Sequence, residues 1–263
     1  MMRLTPLRSA ALPLALLGLA SLALAQEGAQ DTAVPDLGGR TLLIGSDTTY
    51  PPFETVNQEG EIVGFDVDVM NAICERINCV AQFQTTAWDG IFAALANGEF
   101  DMVASGVSIT PEREQIVDFT IPYYEVSQAI AVRVGDEDLT IADFEEGNLV
   151  LGAQTGTTNA MTAERLAGRE RTRLYDTFAT AIQALLTGDV DGVVIDDVTA
   201  DAFAAQYAGQ LVVSIREVAS GDQLGFVVPQ GDPLVDALNA GIEMIQADGT
   251  LDALVQKWLV AEE

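Results

Sequence analysis

The chain has 263 residues with 40 acidic and 12 basic side chains, no histidine, and a formal net charge of −28. That surplus repels nucleic acid and anionic membrane, and the missing imidazole excludes Ser-His-Asp triads, Cys-His dyads and histidine-ligated zinc. The acids are spread along the chain instead of gathered in a tail, so they read as a solubilising surface of the kind a saline habitat favours.

The first residues, "MMRLTPLRSA ALPLALLGLA SLALAQ", place Arg3 and Arg8 before an apolar run that ends in Ala23-Leu24-Ala25. This is the pattern of a cleavable signal peptide over residues 1–25. Pro13 and Gly18 interrupt the run and small residues close it, which argues against an anchor. No cysteine follows, so a lipid anchor is not indicated. No later segment is long and apolar enough to span a bilayer. The expected location is therefore extracytoplasmic. Residues 26–39 read as a flexible acidic leader.

Beyond the leader the elements alternate. "RTLLIGSD" reads as a strand and "GFDVDVMNAICERI" as a helix with Asp66 as its N-cap. "CVAQFQT" is a strand, "DGIFAALANG" a helix stopped by Gly98, and "DMVASGVS" a strand. "PEREQIVDF" reads as a short helix with Thr110 as N-cap and Pro111 at its first position. "NLVLGAQ", "TRLYDT" and "DGVVID" are strands, and "TNAMTAERLAG" and "TAIQALLTG" are the helices between them. "DPLVDALNAGIEMIQADG" and "TLDALVQKWL" close the chain as helices. Such alternation implies α/β layers with helices on both faces of a sheet. The two cysteines, Cys74 and Cys79, flank one helix-to-strand turn, and in an exported chain they are expected to form a disulfide.

One internal echo stands out. "ALANGEFDMVASG" and "ALLTGDVDGVVID" share the order helix, Gly, acid, apolar residue, Asp, buried strand. It suggests two lobes of like build that face a shared crevice with the carboxyl ends of their strands.

Those strand ends carry the polar residues. Asp47, Tyr50 and a Pro51-Pro52 turn follow the first strand, and Trp88 precedes a helix where an indole is ordinarily core packing. Ser105, Gly106 and Ser108 lead into Arg113, a planar cation placed where a helix N-terminus is already electropositive. Gln154 ends a strand, and Gly156-Thr157-Thr158 opens a helix whose free N–H groups suit an anion. No Gly-Lys-Ser/Thr follows, so this is no phosphate loop. Asp196-Asp197 ends the last strand of the echo, and one N-cap explains only one of the two acids. Taken together, a cationic fork and helix N-termini suit a carboxylate, while Asp196 and a hydroxyl suit an ammonium. An α-amino acid carries both charges on one carbon.

At these residues the chain resembles a known family, the periplasmic polar-amino-acid-binding proteins of ABC importers, including binders of lysine, arginine and ornithine and of glutamine. The resemblance rests on "GSDTTYPPFE", "GFDVDV", "WDGIFAALANGEFDMVASGVSITPERE", "VDFTIPYY", "GTT", "GDVDGVVID" and "DGTLDALVQKW", in family order over nearly all of the mature chain. It implies a two-lobed α/β flytrap fold, with residues 40–130 plus 223–263 as the first lobe and 131–222 as the second. Hinge crossings fall near Ser127–Ala131 and Asp222–Phe226. It further implies that Arg113 clamps a carboxylate with the backbone at Ser108 and Thr158. Asp196 would meet the α-ammonium, helped by Ser108 and the Gly106 carbonyl. Tyr50 and Trp88 would form aromatic walls, Asp47 would read the side-chain end, and Gln154 would tune the choice. The implied protein is a monomeric, periplasmic, non-catalytic carrier of a polar L-amino acid, without cofactor or metal, that docks transiently on ABC permease subunits. Asp47 disfavours an acidic ligand, which leaves basic amino acids first and glutamine next. Two alternatives share the resemblance: a cyclohexadienyl-dehydratase-like enzyme and a ligand-sensing module.

Overall fold

The computed structural model describes Met1 and residues 34–260, and the expected signal segment beyond Met1 lies outside the described residues. The first strand, β1 (Arg40–Ser46), is followed by a small antiparallel sheet of β2 (Thr49–Tyr50), β3 (Glu54–Val56) and β4 (Ile62–Val63). Helix α1 (Phe65–Ile77) places Phe65, Val69, Met70, Ile73 and Ile77 on one fully buried face, as a 3.6-residue period demands. Its N-cap is Gly64, not Asp66. Asp66 is buried in the first turn, and its carboxylate points to other partners. A left-handed Asn78 turns the chain into β5 (Cys79–Thr85), and the Cys74–Cys79 disulfide bridges this corner.

Helix α2 (Ile91–Ala96) leads to β6 (Met102–Val103). The stretch read as a helix over "PEREQIVDF" divides instead. Arg113–Gln115 forms a single 3₁₀ turn, and β7 (Val117–Phe119) is a strand. Local propensity loses here to tertiary pairing, because β7 runs antiparallel to β13 (Val227–Pro229) with Phe119 opposite Val227.

The chain then enters β8 (Tyr124–Arg133), α3 (Ile141–Glu146), β9 (Leu151–Gln154), α4 (Thr158–Ala167), β10 (Thr172–Tyr175) and α5 (Phe178–Thr187). It continues through β11 (Gly192–Asp196), α6 (Asp197–Gln206) and the long β12 (Leu211–Leu224). After β13, α7 (Leu234–Ala247) and α8 (Thr250–Trp258) return to pack on α1. A side chain at Gly241 on α7 would strike Ile73 of α1 at 2.6 Å, so this glycine sets the closeness of the two helices.

Two five-stranded sheets result, ordered β5-β1-β6-β13-β7 and β10-β9-β11-β8-β12. In each, the first three strands are mutually parallel and the fourth is antiparallel to its neighbours. The two echoed segments supply β6 and β11, which take the same third place in their sheets. The chain passes from the first sheet to the second along β8 and returns along β12. These two strands pair from Tyr124 opposite Leu224 to Arg133 opposite Leu211, with register shifts between Val213 and Asp222. The carboxyl ends of β1, β6, β9 and β11 come together between the sheets.

Candidate functional site

Every residue expected at the site lines one pocket. From the first sheet's side come Asp47, Tyr50, Trp88, Ser105, Gly106, Ser108 and Arg113. From the second come Gln154, Thr157, Thr158 and Asp196. The pocket holds about 320 Å³ of empty space, some of it open to solvent.

Arg113 is not at the head of a helix long enough to have a dipole. Its position is set by other means. Thr110 Oγ1 accepts its N–H at 3.2 Å, and its Nη1 donates to the Ser108 carbonyl at 2.7 Å. The guanidinium lies 5.2 Å from the Trp88 ring centroid and 5.4 Å from that of Phe92, within cation–π range. Trp88 thus packs as core and also cushions the cation. Burial lowers the Arg113 pKa to about 10, against the opposing pull of Asp222 and Asp196, so the side chain stays charged at neutral pH. Among the described residues no carboxylate forms an ion pair with it. Asp118 accepts from the Gly231 N–H instead.

Gly106 adopts φ +52°, and a side chain there would meet the Tyr50 ring at 2.6 Å. Only glycine fits both the backbone and the space. Tyr50 stacks on Phe53 and Phe178, with centroids 5.1 and 5.3 Å away, so packing fixes its plane. Its hydroxyl donates to Asp196 across the cleft.

On the second sheet's side, Thr157 caps α4. Its Oγ1 accepts the Ala160 N–H at 3.0 Å and donates to the Gln154 carbonyl at 2.7 Å. Thr158 Oγ1 faces Ser108 Oγ across the cleft at 3.4 Å. Asp196 is the backbone N-cap of α6, yet its side chain does not cap. The carboxylate turns into the pocket and accepts from Tyr50 and, at 2.7 Å, from Asn159 Nδ2. Burial raises its pKa to about 6, while those two donors pull it down. Asp197 is half-buried, and its carboxylate accepts the Val198 N–H at 2.8 Å.

At the other end, Asp47 Oδ2 accepts from Gln154 Nε2 at 2.7 Å and Oδ1 from the Thr49 hydroxyl at 2.7 Å. Arg113 Nη2 also reaches the Gly156 carbonyl at 3.3 Å. Among the described residues four cross-cleft hydrogen bonds therefore join the two sides: Gln154 to Asp47, Tyr50 to Asp196, Arg113 to Gly156, and the Ser108–Thr158 hydroxyl pair. The pocket walls carry one positive charge, on Arg113, and two carboxylates, Asp47 and Asp196.

Asn159 and Phe178 line the pocket too, and the sequence reading did not single them out. Phe178 follows the end of β10, a strand end passed over although the same rule applies to it. Asn159 sits one residue past the Thr157-Thr158 pair, in the first turn of α4.

A family model for bacterial extracellular solute-binding proteins, family 3, matches residues 42–261. A probable histidine-binding protein of Neisseria gonorrhoeae is 32% identical over 260 residues, which cover 94% of this chain and 95% of that protein. A solved structure of an ancestral arginine-binding protein bound to glutamine is similar with a TM-score of 0.78 and 34% identity, covering 83% of this chain and 97% of its own. A second, of an ancestral amino acid-binding protein described as a precursor of cyclohexadienyl dehydratase, has a TM-score of 0.75 and 34% identity, covering 84% of this chain and 96% of its own.

Proposed function

We propose that this chain, which belongs to the bacterial extracellular solute-binding proteins, family 3, captures a free basic L-amino acid between its two sheets and hands it to an ABC permease. One observation carries the reading: the charges of the pocket. A zwitterionic amino acid brings a carboxylate for Arg113 and an ammonium for Asp196, with Ser108 and Thr158 beside them. Asp47 then remains as a buried carboxylate supported only by neutral donors, Gln154 and Thr49. A buried charge without a counter-charge is costly, so the ligand that completes this site has a cationic side chain. Glutamine, which offers only an amide there, ranks second.

The mechanism follows from where the groups sit. The ligand meets Arg113, Asp47, Tyr50 and Trp88 on the first side, then bridges to Thr158 and Asp196 on the second. Each contact that exists only with the sides together favours that arrangement. Strands β8 and β12, the two crossings between the sheets, act as the hinge, with residues 40–130 plus 223–263 on one side and 131–222 on the other. The protein works as a periplasmic monomer after loss of residues 1–25 and docks transiently on the permease.

The likeness to a dehydratase precursor supports a second reading, in which Asp196 delivers a proton to a leaving group. Its two hydrogen-bond donors, Tyr50 and Asn159, favour the ionised carboxylate instead, as an ammonium partner requires. A thermal-shift screen with the twenty amino acids plus ornithine and citrulline tests the first reading. Arginine, lysine, ornithine or histidine is expected to raise Tm most, and a response to glutamate alone would overturn it. Incubation with prephenate or arogenate, followed by absorbance of an aromatic product, tests the second.

A further inference from the structure

Behind the first sheet's wall of the pocket lie two carboxyl groups that do not line it. Glu54 on β3 and Asp66 in the first turn of α1 are both fully buried. Ser105 Oγ donates to Glu54 Oε1 at 2.7 Å while accepting the Asp47 N–H at 3.0 Å. The Gly106 N–H donates to Asp66 Oδ2 at 2.8 Å, and the Tyr123 hydroxyl to Asp66 Oδ1 at 2.8 Å. Glu54 Oε2 has no partner among the described residues. Nor, among those residues, does either acid have a lysine or arginine within ion-pair distance.

Two neighbouring buried anions with no cation are not tenable, because neither the desolvation nor the repulsion is offset. One proton must remain on the pair. Asp66, with a donor on each oxygen, is the better site for the charge, and Glu54, with one oxygen unserved, is the better site for the proton. The electrostatics of the pair agree. Burial pushes the Glu54 carboxyl well above the carboxylate range, and repulsion from Asp66 adds to it. Burial raises Asp66 to about 7 against the pull of Gly106 and Tyr123. The other ionisable groups facing the pair are Asp47 after β1, Tyr50 on β2 and Tyr123 before β8. Burial holds both phenols well above their ordinary range, so they stay neutral. On the outer side of α1, Lys257 already pairs with Asp68, and Arg76 with Asp248.

We propose that Glu54 and Asp66 are positioning residues that grip the Ser105–Gly106 wall from behind while sharing one negative charge, and that this charge selects a cationic ligand over its neutral isostere without touching it. The inference rests on the amino-acid reading above and deepens it. Ser105 and Gly106 both line the pocket, and each is tied to one member of the pair. A rigid wall serves all amino acids alike. A charge behind it acts only on the ligand's net charge.

Arginine and citrulline have nearly the same shape and differ in that charge and in one terminal group, an N–H donor in arginine and a carbonyl acceptor in citrulline; the second difference is common to every variant and pH compared. Calorimetry of both, at pH 6 and pH 8, on the unsubstituted chain and on E54Q and D66N, separates the roles. The arginine-over-citrulline preference is expected to rise several-fold from pH 6 to pH 8 as Asp66 ionises. D66N should lower the preference at pH 8 by about three- to tenfold, the scale of one charge at roughly 10–15 Å in a medium of intermediate dielectric, and should reduce its pH dependence. E54Q, which replaces a protonated acid by a neutral isostere, should keep both. Ionisation of Asp196 strengthens the ammonium contact of either ligand and also adds its own charge to the ratio in every variant, so the share of Asp66 is the part of the pH rise that D66N removes. An unchanged ratio in D66N, whatever the absolute loss, would overturn the charge role. If D66N fails to fold, a ratio that does not change from pH 6 to pH 8 in the unsubstituted chain and in E54Q alike overturns it instead. No heat with either probe in the unsubstituted chain would overturn the basic-amino-acid reading itself, and this inference with it.

Discussion

The two sides of the pocket are built by different means. On the second sheet's side, regular secondary structure places the groups: Gln154 and Asp196 are the last residues of β9 and β11, and Thr157 is the N-cap of α4. On the first sheet's side, irregular backbone does so: Ser105 to Ser108 follow a two-residue strand, Gly106 is left-handed, and Arg113 rides a single 3₁₀ turn. Irregular segments need outside support. Here it comes from the Glu54 and Asp66 carboxyls, the stacked Tyr50 and Phe53, and the Trp88 and Phe92 rings under Arg113. One side is a standard strand-end site, and the other is a wall held from behind.

Substitutions on the two sides should therefore differ in size. R113A on the first side removes the pocket's cation and leaves a ligand carboxylate unpaired, a loss of ~3–5 kcal/mol, or roughly two to four orders of magnitude in Kd. Circular dichroism should show the fold intact, since the guanidinium makes no ion pair with a described residue; near-native affinity in calorimetry would break the assignment. D196N on the second side has one acceptor oxygen, for Asn159, and turns its amide N–H toward the Tyr50 hydroxyl, while it loses the charge for an ammonium. A weakening of about 10–100-fold is expected from one charged hydrogen bond, and equal effects of the two substitutions would erase the distinction between the sides.

A pH series sharpens the same contrast. Burial raises the Asp196 carboxyl to about 6, above the ordinary range of an aspartate. An acid with a raised native pKa contributes stability that is full below its unfolded value and is lost as pH rises through the native one. The free protein should thus lose stability from this group between about pH 4 and 6. Binding runs the other way, since the ammonium needs the ionised form: affinity should rise by up to about tenfold from pH 5 to 7. Tm with and without arginine across this range reads both signs in one experiment, and a ligand-induced gain that shrinks toward pH 7 would contradict the Asp196 role. The smallest effect belongs to Gln154. Q154A removes one hydrogen bond to Asp47, worth about 1 kcal/mol or roughly fivefold, and the change should fall on the side-chain end: a neutral ligand such as glutamine should be affected differently from arginine in the same titration.

The strand-end side was the more legible. "GDVDGVVID" places Asp196 at the end of a buried strand, and "QTGTTNAM" places Thr157 at a helix start, because hydrophobic period and capping chemistry are local. Phe178 lies just past the end of β10, so the strand-end rule that finds Asp196 reaches it too. The first side misled where its backbone is irregular: Asp66 looked like an N-cap and "PEREQIVDF" like a helix. Both have local signals that a long-range partner overrides, Gly106 and Tyr123 for Asp66 and β13 for β7.

By itself the sequence determined the α/β alternation, the Cys74–Cys79 disulfide, and the strand ends that carry polar residues. These follow from periodicity, compartment and short-range chemistry. Only the tertiary structure decided that β8 and β12 are long paired crossings, that Arg113 lies on aromatic rings with no carboxylate among the described residues paired to it, and that two buried acids stand behind Ser105 and Gly106. The reason is physical: pairing partners and desolvation depend on residues distant in the chain, and charge in a buried site takes its meaning from everything packed around it.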